Sequence, residues 1–104
     1  MQFQAKHYKD TLVVDVHDLT INLAHALERQ NSFKHLVIDL SVFDSVSEDL
    51  MKNFTKFGKD NVQKNSFFIV CKQEYLEDYP LVPTLLEAFD MITLEEIERQ
   101  LLNQ

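Results

Sequence analysis

The chain has 104 residues and a mass of 12.2 kDa, which suits one domain, 1–104, with a single core. It is 45% apolar and 26% charged, with 17 acids against 10 bases and a net charge of −7, a balance that argues against disorder and against nucleic acid or an anionic membrane as partner. One glycine, Gly58, excludes glycine-rich phosphate loops and the nucleophile elbow, and one cysteine, Cys71, excludes an internal disulfide and multi-cysteine zinc sites.

The first segment, Met1 to Lys6, does not read as a signal peptide, and no apolar run approaches the roughly 20 residues that cross a bilayer. With its lone cysteine the chain is expected in a reducing, cytoplasmic compartment. The acids are not spread evenly. Residues 1–72 carry nine acids and nine bases, whereas 73–104 carry eight acids and only Arg99, so the whole excess lies in the last third. A basic protein partner is the natural complement of such a tail, although acidic helix faces also simply keep small proteins in solution.

In chain order, Phe3 to Tyr8 alternates as a strand, and Leu12 to His17 follows after the short Lys9-Asp10 link of a hairpin. Asp18 then stands where it would cap a helix from about Leu19 to Gln30. Leu36 to Ser41 predicts a third strand. A helix is expected from about Val46 to Phe57, with Ser45 and Glu48 at capping-box spacing and Gly58 at its end. Ser66 to Cys71 predicts an interior strand, Gln73 to Tyr79 a short helix, and Leu81-Val82 a last edge strand beside Pro80 and Pro83. Thr84 with Glu87 and Thr93 with Glu96 both have capping-box spacing, so the C-terminal helix is expected to break at Met91–Thr93 and resume to about Leu102.

Alternating strands and helices imply an α/β fold with a mostly parallel sheet of four to five strands. Leu12, Val14 and Val16 share a face, as do Leu36, Ile38 and Leu40, while the opposite face mixes Val13 and Val37 with Asp15, His17, Asp39 and Ser41. A sheet covered on both sides is apolar on both, so helices are expected mainly on one face.

This element order, with Leu36-Val-Ile-Asp-Leu-Ser41 ahead of a helix, resembles the STAS domain, the fold of bacterial anti-sigma factor antagonists. Val82 to Ala88 and Glu95 to Leu101 are similar to a group of small bacterial STAS-like proteins that often carry the label ribonuclease Z. The resemblance implies a βα superhelix and a protein-binding, regulatory role without catalysis. STAS antagonists usually carry Asp-Ser-Ser-Gly at the start of the helix after the third strand, with the second serine as phosphate acceptor. Here Glu48 and Asp49 fall at the serine pair, and Asp44-Ser45 lies three residues early with no glycine after it. Permanent carboxylates at a helix start would imitate part of a phosphate's charge.

The residues expected to meet a partner are Ser45, Ser47, Glu48, Asp49 and Leu50, though Ser45, Ser47, Glu48 and Asp49 also serve as ordinary helix-start residues. The other expected route is a basic partner held by the C-terminal helices of an acidic scaffold or inhibitor. A third reading places a metal or general-base site at Asp15, His17 and Asp39, against the plainer view that an uncovered sheet face needs polar residues. His7, His17, His25 and His35 form no His-x-His pair, so the metal cluster of a ribonuclease Z is missing. No metal, no cofactor and no enzymatic activity are expected.

Overall fold

The computed structural model describes residues 2–30, 32–72 and 79–103. The elements are β1 (Phe3–Tyr8), β2 (Thr11–Val16), α1 (Leu23–Leu27), β3 (His35–Asp39), α2 (Glu48–Val62), β4 (Phe67–Val70), β5 (Leu81–Val82) and α3 (Leu85–Leu102). The helix expected over Gln73 to Tyr79 lies, save for Tyr79, outside the described residues.

Five strands form one sheet in the order β1-β2-β3-β4-β5. The two-residue link at Lys9-Asp10 leaves β1 no option but to fold back, so β1 and β2 pair antiparallel, with Tyr8 opposite Thr11. Lys9 takes a φ of 55° in that turn. The pairs β2–β3, β3–β4 and β4–β5 are parallel. The sheet is therefore mixed, and parallel pairing is confined to β2 through β5. β4, short, aromatic and β-branched, is interior as its composition predicts.

Side-chain alternation divides the core into two layers. Leu12, Val14, Val16, Leu36, Ile38, Leu40, Phe67 and Ile69 join Leu23 of α1 and Met51, Phe54 and Val62 of α2. Phe54 and the partly buried Phe57 thus pack on the layer of Leu36, Ile38 and Leu40. On the other side Val13, Val37, Phe68, Val70 and Val82 meet Ala88 and Ile92 of α3. The expectation of helices mainly on one face needs correction. Two helices cover the first face, but the longest, α3, crosses β3, β4 and β5 on the second. The sequence had marked that face as mixed because Asp15 and Asp39 interrupt it; the valines before them supply enough apolar surface for a helix.

Four helix boundaries differ from the sequence expectation, both ends of α1 and both ends of α2. Asp18 does not cap α1. Its Oδ1 accepts from the Thr20 N–H at 2.9 Å and the Thr20 hydroxyl at 2.7 Å, which closes a local turn and delays the helix. Asn22 is the cap, accepting from His25 N–H at 3.1 Å, and α1 has only five residues. In α2 the cap is Ser47, not Ser45, with its Oγ accepting from Leu50 N–H at 3.2 Å. Glu48 and Asp49 then occupy the first turn, where the helix dipole favours carboxylates.

Gly58 does not end α2, which continues to Val62. A Cβ at this position would fall inside the Phe67 ring of β4. The chain spends its one glycine on letting a helix backbone approach the sheet, not on a turn. The turn out of α2 instead forces Gln63 to a φ of 48°.

α3 shows no break at Met91–Thr93 and is one helix of 18 residues. Thr93 sits in mid-helix with its hydroxyl donating to Phe89 C=O at 3.1 Å, whereas Thr84 is the true N-cap, accepting from Glu87 N–H at 3.1 Å. The apolar residues of α3 also change phase near Ile92. α3 carries one stripe inward, through Leu85, Ala88, Phe89 and Ile92, and a second outward.

Candidate functional site

The carboxyl ends of the parallel strands gather most of the residues singled out from sequence. β2 and β3 are in a register that places Asp15 beside Asp39. His17 Nε2 lies 3.3 Å from Asp15 Oδ2, so two of the three polar-face residues touch. The Asp39 carboxylate turns away into local work, its Oδ1 accepting from Ser41 N–H at 2.9 Å. Among the described residues, no group of three or more His, Cys, Asp or Glu side chains is placed to hold a metal.

The start of α2 lies on the other face of the sheet. Ser45, Ser47, Glu48 and Asp49 are exposed and Leu50 is half-buried. Glu48 reaches the Tyr79 hydroxyl at 3.4 Å and Lys52 Nζ at 4.0 Å, an exposed i,i+4 pair of little energetic weight. Leu50 shares an apolar groove of about 320 Å³ with Leu19, Ile21, Phe54 and Phe57, between α1 and α2. The structure thus brings four of the five predicted partner residues to the surface and joins the fifth to a groove.

The opposite end of the sheet holds a polar cluster that sequence reasoning missed. His35, 2% exposed, begins β3, and its Nδ1 accepts from the Ser66 backbone N–H at 3.0 Å. The Ser66 hydroxyl, also buried, donates to Glu95 Oε1 at 2.6 Å and accepts from Arg99 Nη2 at 3.0 Å. Glu95 and Arg99 lie one turn apart on α3, with 3.8 Å between their charged atoms. These bonds latch α3 to the amino ends of β3 and β4. They hold the Ser66 hydroxyl between two side chains of α3.

Beside the latch a groove of about 560 Å³ opens between the β1–β2 hairpin tip and α3. It exists because α3 packs over β3, β4 and β5 and leaves the hairpin end of that face uncovered. Tyr8 and Phe89 form its aromatic wall, their rings edge to face with centroids 5.2 Å apart. His35 and Glu96 lie at its floor, with Glu96 Oε2 3.4 Å from His35 Nε2. The sequence offered one usable signal for this group: His35 directly before an apolar strand, at a position that burial makes costly for an imidazole without partners.

α3 also carries an exposed apolar stripe on its outward side. Leu86 is 71% exposed, Leu94 53%, Ile97 48% and Leu101 62%. At 100° per residue these four fall within one side of the helix, together with Asp90, and Glu87 and Glu98 lie along one edge of that stripe.

No helix among the described residues is long and apolar enough to cross a membrane. No protein-family model, no curated protein and no solved structure matches the chain, so the site is read from its own geometry.

Proposed function

We propose that the protein is a non-enzymatic interaction module that holds a basic, amphipathic segment of a protein partner against the outer face of α3. The second apolar stripe of α3 carries this reading. A helix at the surface of a small domain needs one apolar stripe for its own core, and Leu85, Ala88, Phe89 and Ile92 already supply it. Leu86, Leu94, Ile97 and Leu101 are left as anchors of the kind that seat in a facing groove or helix. Asp90 within the stripe and Glu87 and Glu98 along one edge make it acidic. A second copy docking face to face would bring these carboxylates together, whereas a basic partner is attracted and steered by them.

At the level of fold, the STAS-like reading is part of the proposal. It is supported by the order β-β-α-β-α-β and by parallel pairing from β2 to β5. It also suggests a second docking place at Ser45, Ser47, Glu48, Asp49 and Leu50. The apolar groove that Leu50 shares with Leu19 and Phe57 favours keeping it. Here Ser47 is engaged as the α2 cap with Glu48 and Asp49 in the first turn, and on this reading the two carboxylates take the place of an acceptor serine. Such a module would bind in one permanent charge state.

The test is crosslinking of the tagged protein in its native cell, followed by identification of what it holds. A basic protein retained by the native chain and by Glu48→Lys, but lost with Leu94→Lys plus Ile97→Lys, supports docking on α3. Loss with Glu48→Lys alone moves the interface to the start of α2. A set of partners indifferent to both variants contradicts the interaction reading.

A further inference from the structure

We propose that the groove between the β1–β2 hairpin and α3 binds a small, neutral, planar heteroaromatic ring that carries a hydrogen-bond donor beside an acceptor on one edge. The starting observation is His35. Its Nδ1 accepts from the Ser66 N–H, so that nitrogen holds a lone pair and the ring proton belongs on Nε2. Nε2 is buried and has no hydrogen-bond partner among the described residues. Glu96 Oε2 covers it at 3.4 Å but is out of line for a bond. A buried donor left unpaired is costly, and native proteins seldom leave one without a use.

The same tautomer decides which ligand chemistry fits. A nitrogen that carries its proton cannot ligate a metal ion, which rules out a His35–Glu96 metal pair. It can donate. Glu96, a carboxylate at the groove wall, can only accept. A ring edge with an acceptor for Nε2–H and a neighbouring donor for the Glu96 carboxylate satisfies both at once, in the side-by-side manner of amide and base-edge recognition. A small turn of the half-exposed Glu96 side chain opens the way to Nε2.

Shape and charge narrow the class further. The volume of about 560 Å³ lies within the range of roughly 300–1,000 Å³ used for small ligands. The Tyr8 and Phe89 rings favour a flat aromatic guest. Asp10 and Glu96 repel an anion, and Lys9 at the turn is the one cation on the groove lining among the described residues. Free bases and nucleosides therefore fit, while nucleotides do not. This site uses none of the four apolar anchors of the outer stripe and stands or falls apart from the docking proposal.

The experiment is titration of the ¹⁵N-labelled full chain with adenosine, cytidine and guanosine, each of which has the required edge. Purine riboside, which lacks the amino donor, and adenosine monophosphate are the comparison arms. At least one of the three nucleosides should shift the Phe89, Ile92 and Glu96 amides saturably. If adenosine binds, purine riboside should be about tenfold weaker, the worth of one hydrogen bond, and the monophosphate weaker than adenosine. Glu96→Ala and, at the exposed wall, Tyr8→Ala should each weaken binding by about tenfold while the remaining spectrum keeps its dispersion. Failure of all three nucleosides to shift these amides, purine riboside binding as tightly as adenosine, or binding unchanged in Glu96→Ala would each overturn the proposal.

Discussion

Single residues in this fold do work that their type alone does not announce. Gly58 is the clearest case. In an exposed helix interior, glycine to alanine gains about 1 kcal/mol of helix propensity. At Gly58 the new methyl would meet the Phe67 ring, so we expect Gly58→Ala to lower stability in urea despite that gain. Adding Phe67→Leu should recover part of the loss, because the smaller side chain vacates the space. A stabilised Gly58→Ala would mean that helix and strand are not in contact there. Asp18 offers a second check. Its carboxyl lies below the ordinary carboxylate range, first because the Thr20 backbone N–H bonds it and second because the Thr20 hydroxyl does. A value depressed by folding stabilises above the unfolded value, near 3.8, and that contribution fades as pH falls through the folded value. Carboxyl NMR of Thr20→Val should show Asp18 moving only part of the way back, since the backbone donor remains. No movement at all would mean that the hydroxyl contributes nothing.

At the scale of elements, α3 separates two explanations of one sequence pattern. Thr93-x-x-Glu96 has the spacing of a helix start, yet Thr93 lies within a continuous helix and bonds back to Phe89. Thr93→Ala should therefore be neutral or slightly stabilising in thermal unfolding, because alanine is the better helix former. Thr84→Ala should cost about 1 kcal/mol, since Thr84 is the cap that accepts from Glu87 N–H. The reverse ranking would restore a break at Met91–Thr93. This contrast also shows what was legible in the sequence. The strands were, because Leu12-Val-Val-Asp-Val16 and Leu36-Val-Ile-Asp39 alternate or run apolar over the right lengths. Caps were less so, because Asp18, Ser45 and Thr93 each have the chemistry of a cap and only the path of the backbone decides which hydroxyl or carboxylate meets a free N–H. The doubled stripe of α3 looked like two helices because a single helix with apolar surface on both sides violates the one-face pattern. Of the candidate site, the neighbouring Asp15 and Asp39 followed from strand alternation once β2 and β3 paired. The His35–Glu96 groove did not, since its parts come from a hairpin, a strand start and a distant helix that meet only in the folded chain.

On the scale of the whole molecule, charge and topology act together. Residues 1–72 are electrically balanced, and the acidic surplus belongs to the segment from residue 73 onward. By crossing back over the sheet, α3 brings three of those acids, Glu87, Asp90 and Glu98, to one side of the domain, beside four exposed apolar anchors. This separates a neutral scaffold from an acidic, apolar recognition face, and association there should weaken as salt screens its long-range attraction over a Debye length of about 8–10 Å. The most direct measurement is hydrogen–deuterium exchange of the full chain, alone and with the basic partner identified by crosslinking. The account predicts slower exchange upon binding across residues 86–101, with the start of α2 unchanged. Protection confined to residues 45–57, with α3 exchanging as fast as in the free protein, would contradict it.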